Sequence, residues 1–334
     1  MRELSKILLA LLISLVFMIV LGEVGTRVYT AAFTLYDIEM SRYASALKIS
    51  SSNPKIGHVH RPNSSAHLMD VDVQINSDGL RDRDYPVARS EQHRIVVLGD
   101  SLTFAWGVEQ ADSFANLLEK SLSRVRPTEV INFGTGNYNT EQQVNLFLEK
   151  GLKYAPDQVV IFWFINDAEP TPVRSDWGFL GHSRLVTVFW SRVLAALTNL
   201  DASVSFKDFY SELYRDDQPG WIHQQHAFLE IRDVALAQRF DLRVVLLPEL
   251  HDLMRYPLAE EHAKVQRFLD QAGIPNLDLV QFFAGEPDPF RLWVAMDDAH
   301  PNAVAHRLIA QSSLDFIAAG GRESSGEASG EVRN

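Results

Sequence analysis

From Arg94 onward the chain alternates short, continuous apolar runs with longer segments of helical periodicity, and no other feature restricts the fold as strongly. Arg94–Leu98, Glu129–Phe133, Gln158–Phe164, Leu242–Leu247 and Leu277–Phe283 read as strands. Gln158–Phe164 is apolar in succession rather than alternately, as strands buried on both faces are. Between the strands, Ser113–Val125 repeats Phe114, Leu117, Leu118 and Leu122 at helical spacing. Thr140-Glu141-Gln142-Gln143 fits a capping box that opens a helix to about Lys153. Ile222–Phe240, Leu258–Ala272 and Ala303–Ala318 read as further helices. Such alternation predicts an α/β domain in which helices cover both faces of a parallel sheet.

Ligands of such a sheet gather at the carboxyl ends of its strands. Ser101 follows the first strand, Asn137 the second and Asn166 the third, so all three are expected on one edge. Near the other end of the chain, Asp297-Asp298-Ala299-His300-Pro301 is expected to bring His300 to the same edge at the start of the last helix. A hydroxyl becomes a useful nucleophile when an imidazole takes its proton and a carboxylate orients that imidazole. Ser101, His300 and Asp297 offer those three groups, and the convergence suggests acyl transfer; Asp298 is left unassigned. Each residue also has an ordinary reading. Ser101 fits a helix cap, Asn166-Asp167 a turn, and His300-Pro301 a helix start. Asp100 is expected to brace the turn, and Asp167 to be structural.

The remaining composition excludes several classes. Lys and Arg number 31 against 43 Asp and Glu, a net charge of −12, the opposite of a nucleic-acid footprint. The absence of cysteine removes disulfides, thiolate catalysis and Cys-ligated zinc. His58-x-His60 and His223-x-x-His226 have metal-ligand character but no third ligand in register, and Gly134–Gly136 lacks the Lys-Ser/Thr of a phosphate loop. No cofactor or metal is expected.

Arg2 and Lys6 precede an apolar run from Ile7 to Leu21, broken only by Ser14. Fifteen helical residues span about 22 Å, short of a hydrocarbon core of roughly 30 Å, but Gly22, Val24 and the ends of Lys6 and Arg27 extend the span. We read residues 1–27 as an uncleaved membrane anchor with a cytoplasmic N-terminus, and the rest of the chain as extracytoplasmic. A cleaved signal peptide and a buried soluble helix are the alternatives. Residues 28–50 continue with helical spacing, and 51–92 form an extended arm with a turn at Asn76-Ser77-Asp78-Gly79, so that 28–92 is a juxtamembrane helix and arm. The catalytic domain is expected over 93–319. Its insertion, 168–220, carries an amphipathic helix over Leu185–Leu200 and reads as a helical addition packed on the domain, a lid, or a membrane-facing surface. The tail 320–334 has little to bury and is expected to be disordered.

Gly99-Asp100-Ser101-Leu102, Asn166 in Phe164-Ile165-Asn166-Asp167, and Asp297-x-x-His300 together resemble the SGNH (GDSL-type) hydrolases over about Arg94 to Ala318. The resemblance implies a three-layer α/β/α, flavodoxin-like domain and a serine esterase. It also implies an oxyanion hole built from the Ser101 N–H, the Asn166 amide and a glycine of the second block. In Asn132-Phe133-Gly134-Thr135-Gly136-Asn137-Tyr138-Asn139-Thr140 that glycine falls on Asn137, with Gly136 as the alternative donor, and the usual glycine two positions before Asn166 is Phe164. The apolar N-terminus, Asn76-Ser77-Asp78-Gly79-Leu80-Arg81 and Thr103-Phe104-Ala105-Trp106-Gly107-Val108 are similar to a membrane-anchored bacterial subgroup, whose members act on acyl groups of glycans. The expected function is an extracytoplasmic serine ester hydrolase acting on acyl, in particular acetyl, esters of a polysaccharide. An O-acyltransferase using the same triad is one alternative, and a non-catalytic anchored glycan-assembly protein is another.

Overall fold

A computed structural model describes residues 2–88, 91–171, 183–190, 193 and 205–320. Five parallel strands, β1 (His93–Gly99), β2 (Thr128–Asn132), β3 (Gln158–Trp163), β4 (Asp241–Leu246) and β5 (Asn276–Asp278), form one sheet in the order β2-β1-β3-β4-β5. The order reverses between β1 and β3, the switch point at which open α/β sheets form their crevice. The predicted runs become strands because alternate side chains feed two cores. Val96, Leu98, Val159, Ile161, Val244 and Leu246 pack on one face, and Ile95, Val97, Val160, Phe162 and Val245 on the other. Helices Thr140–Leu146, Pro219–Gln238 and Ala259–Gln271 cover the first face. Phe114–Leu122 and Ala303–Gly320 cover the second. The three-layer α/β/α fold with a central parallel sheet is therefore present.

The expected element ends shift for local reasons. The last strand stops at Asp278, whose carboxylate accepts the Val280 N–H at 2.9 Å and turns the chain into a short helix, Val280–Phe283. The helix expected to reach Lys153 is α-helical only to Leu146 and continues as a π turn and a 3₁₀ turn to Tyr154. Its capping box is Asn139 with Gln142, one residue earlier than Thr140 with Gln143.

At the N-terminus a helix spans Arg2–Ala32, and within it Glu3–Ala32 is long and apolar enough to cross a membrane. The helical spacing read over 28–50 ends in a second helix, Tyr36–Leu47, and gives way to a strand, Lys48–Ser50. The chain divides into two compact units, Met1–Ser45 with Arg174–Ser203 and Ala46–Val173 with Val204–Asn334. In the smaller unit residues 184–190 are helical, and Glu23 accepts the Ser183 hydroxyl and the Leu185 N–H that begin that turn. Most of the expected helix Leu185–Leu200, and the tail 321–334, lie outside the described residues.

The arm does not stand off the sheet. From Lys48 it forms two hairpins, Lys48–Ser50 with His58–His60 and Ser65–Leu68 with Val71–Gln74. Ile56, Leu80 and Tyr85 then enter the core beside Val96 and Ile131. Asn76 makes the turn that the sequence suggests, its Oδ1 accepting the N–H groups of Asp78 and Leu80. The following Arg81 is buried and donates to the carbonyls of Phe104 and Ala105, which end the helix Ser101–Phe104, and to that of Val108 beyond it.

Asp82, next in the arm, accepts the Asn132 N–H and the Tyr85 hydroxyl, each at 3.0 Å. Burial pushes its carboxyl up to about 6, against the lowering effect of those hydrogen bonds. Between the unfolded value near 4 and about 6, the folded chain holds a proton that the unfolded chain has lost. Stability therefore falls as pH rises through that window and is flat with respect to Asp82 above it. A shift of this size corresponds to a loss on the order of 3 kcal/mol. Urea unfolding from pH 4 to 7 is expected to show the decline, and Asp82→Asn to make it shallower; an unchanged slope in Asp82→Asn would assign the decline to other acids.

Candidate active site

β1 delivers Ser101 because the chain turns sharply after Gly99. A Cβ on Gly99 would lie 2.0 Å from Thr103 Oγ1, so only glycine lets the strand pass under the helix it opens. Asp100 is the N-cap of helix Ser101–Phe104, its Oδ1 accepting the Leu102 N–H at 2.8 Å. The Ser101 N–H thereby starts a helix and meets no acceptor among the described residues. The second-block loop lies against the same helix, where a Cβ on Gly134 would meet the backbone of Phe104 at 2.3 Å.

His300 does not begin the last helix. It sits on a short strand, β7 (Asp298–Pro301), paired with β6 (Trp293–Ala295), and the helix starts at Ala303 behind the capping side chain of Asn302. That placement sets Asp298, in place of the expected Asp297, against His300. Along a strand, residues two apart share a face, so Asp298 and His300 point together while Asp297 stands exposed in the hairpin turn. Asp298 Oδ1 contacts His300 Nδ1 at 2.5 Å and also accepts the His300 N–H at 3.1 Å. His300 Nε2 lies 2.8 Å from Ser101 Oγ. With Nδ1–H donated to the carboxylate, Nε2 presents a lone pair to the Ser101 hydroxyl. The structure thus joins Ser101, His300 and Asp298 and leaves Asp297 outside.

Trp106 stands in the Thr103–Val108 segment, to which the sequence assigns no chemical role. Its indole N–H donates to Asp298 Oδ2 at 2.8 Å, and the ring is 2 % exposed. Burial alone would push the Asp298 carboxyl up, but the His300 and Trp106 hydrogen bonds hold it below its usual value. The only available signal is general: a buried tryptophan needs a partner for its N–H. Trp106→Phe is expected to lower kcat about tenfold with little change in KM, and to cost about 2 kcal/mol of stability. Steady-state kinetics and thermal melts check both effects, and an unchanged kcat would remove Trp106 from the site.

Asn166 follows β3 on a 3₁₀ turn, Ile165–Ala168, and its Nδ2 donates to Asp100 Oδ2 at 3.0 Å. An amide nitrogen carries two hydrogens, so this bond fixes the side chain and leaves one for another acceptor. Burial raises the Asp100 carboxyl despite the Leu102 and Asn166 hydrogen bonds. Asp167 is buried beneath, accepting from Thr140 Oγ1 at 3.0 Å and Gln143 Nε2 at 2.8 Å. Asn137 adopts φ +65°, and its N–H meets no acceptor among the described residues. Gly136 presents its carbonyl to Lys48 Nζ at 2.8 Å and His58 Nε2 at 3.0 Å. His60 is buried, with Nδ1 3.2 Å from the Gly79 carbonyl. Among the described residues no group of three or more His, Asp or Glu side chains is placed to hold a metal ion.

A buried strand-to-serine turn with an imidazole and a carboxylate in line defines a serine esterase of the three-layer kind. The chain belongs to the GDSL-like lipase/acylhydrolase family, whose model matches residues 97–308. No curated protein matches the sequence. Similar solved structures include an acetyl xylan esterase, AlAXEase, at 13 % identity and TM-score 0.40, covering 67 % of this chain and 99 % of that one. A lipase/acylhydrolase from Enterococcus faecalis is 16 % identical with TM-score 0.44, covering 68 % and 96 %. A two-domain esterase, CEX, active on acetylated mannans, is 15 % identical with TM-score 0.45, covering 72 % and 53 %.

Proposed function

We propose that the chain is a membrane-anchored, extracytoplasmic hydrolase of acyl esters, with Ser101 as nucleophile, His300 as base and Asp298 as its orienter. The observation that carries the reading is the continuous hydrogen-bonded line from Asp298 through His300 to Ser101 Oγ. His300 Nε2 takes the Ser101 proton as Oγ attacks the ester carbonyl, and Asp298 stabilises the imidazolium that results. The Ser101 N–H, the Asn137 N–H and the second Asn166 Nδ2 hydrogen receive the oxyanion, each such donor being worth about 3–4 kcal/mol in the transition state. His300 then protonates the departing alcohol. Water, deprotonated by His300, resolves the acyl-enzyme and releases the carboxylic acid.

The acetyl group and the glycan alcohol rest on the likeness of Asn76–Arg81 and Thr103–Val108 to the membrane-anchored subgroup. The location rests on helix Glu3–Ala32 with Arg2 and Lys6 at its head. The full chain, in detergent, is expected to hydrolyse p-nitrophenyl acetate and to release acetate from an O-acetylated polysaccharide. Formation of an acyl-enzyme that turns over only when a sugar acceptor is added would identify a transferase instead.

A further inference from the structure

The arm hairpin lies outside the residues matched by the family model, yet it grips the loop in which this chain departs from the family pattern. Lys48 Nζ donates to Gly136 O at 2.8 Å and to Asn137 Oδ1 at 2.7 Å. His58 Nε2 donates to the same Gly136 carbonyl at 3.0 Å, and the His58 carbonyl accepts the Tyr138 hydroxyl. Gly136 C=O and Asn137 N–H are the two ends of one peptide unit. Two donors on its oxygen fix the plane of that peptide and fix where its N–H points. They also draw electron density toward the oxygen, which strengthens the N–H as a donor through hydrogen-bond cooperativity. A flip of the peptide would forfeit both bonds.

We propose that Lys48 and His58 are positioning residues for the oxyanion hole, holding the Gly136–Asn137 peptide with its N–H toward the developing charge. Asn137 then stands where the family has glycine because its Oδ1 supplies a second acceptor for Lys48. Asparagine is among the residues that enter the left-handed region most readily, so the φ of +65° costs less here than it would for most side chains. Burial lowers the Lys48 ammonium to about 7, and both the ammonium and the neutral amine carry the two hydrogens these bonds need. Because the Lys48 contact acts through Asn137 N–H, its loss should weaken the transition state more than substrate binding.

The proposal rests on the esterase reading, and the test separates the two. The full chain in detergent is assayed with p-nitrophenyl acetate, with Ser101→Ala as the blank. Lys48→Met is expected to lower kcat about 10- to 30-fold, less than removal of an oxyanion donor itself, with KM within about twofold. Asn137→Gly restores the family residue and removes one Lys48 acceptor, so the effect of Lys48→Met in that background should differ from its effect in the native chain by more than threefold. His58→Gln, which keeps a donor, should lose less than His58→Phe. Wild-type turnover with kcat unchanged in both Lys48→Met and His58→Phe would overturn the positioning role and leave the esterase standing. A fall in kcat matched by an equal rise in KM or by global unfolding would overturn it as well, and a wild type no faster than Ser101→Ala would overturn both readings.

Discussion

Ser101→Ala is expected to reduce ester hydrolysis by about 10⁵- to 10⁶-fold, to the rate the oxyanion donors and binding sustain without a nucleophile. The substitution removes one oxygen from a residue 7 % exposed, so the fold should survive and circular dichroism should be unchanged. The size of the loss matters because Ser101 also sits at a helix start. If the hydroxyl served only the turn, alanine would cost at most about 2 kcal/mol of stability and leave turnover intact. The cap at this helix comes from Asp100 Oδ1 on the Leu102 N–H, and the Ser101 hydroxyl lies 2.8 Å from His300 Nε2 against 3.5 Å from Asp100 Oδ2.

The second large effect separates two adjacent aspartates. Asp298→Asn is expected to lower kcat by about 10³- to 10⁴-fold, because an amide cannot hold the Nδ1–H tautomer as a carboxylate does. Asp297→Asn should stay within about twofold of the native chain, since that side chain is exposed in the hairpin turn. The pair is measured with p-nitrophenyl acetate under identical conditions. Equal losses would mean that the hairpin register differs from Ala295 opposite Asp298, and a larger loss at Asp297 would return the carboxylate role to it.

Those two aspartates also show where sequence reading reaches its limit. The sheet was legible because strands buried on both faces leave unbroken apolar runs, and β1, β2, β3 and β4 fall within a residue or so of the expected spans. Ser101, Asn137 and Asn166 were legible because each follows such a run, so the topology alone brings them to one edge. The spacing Asp297-x-x-His300 gives no information on the backbone between the two residues. A turn or helix start would favour Asp297, whereas the short strand Asp298–Pro301 favours Asp298 by its period of two. The contacts of Trp106, Lys48 and His58 were illegible for another reason. Their partners lie 192, 88 and 78 residues away, and only packing creates those contacts. The arm illustrates the same point: its polar, turn-rich composition suggested an extended segment, while Arg81, Asp82 and Tyr85 are buried against the strands that carry the site.

An activated nucleophile at Ser101 is tested most directly with a fluorophosphonate. Incubated with the full chain and followed by peptide mass spectrometry, the reagent should add one phosphonyl group per chain, on the peptide containing Ser101. Labelling should vanish in Ser101→Ala and fall sharply in Asp298→Asn while the protein remains folded. A folded chain that takes no label, or takes it on another residue with Ser101 unmodified, would contradict the assignment.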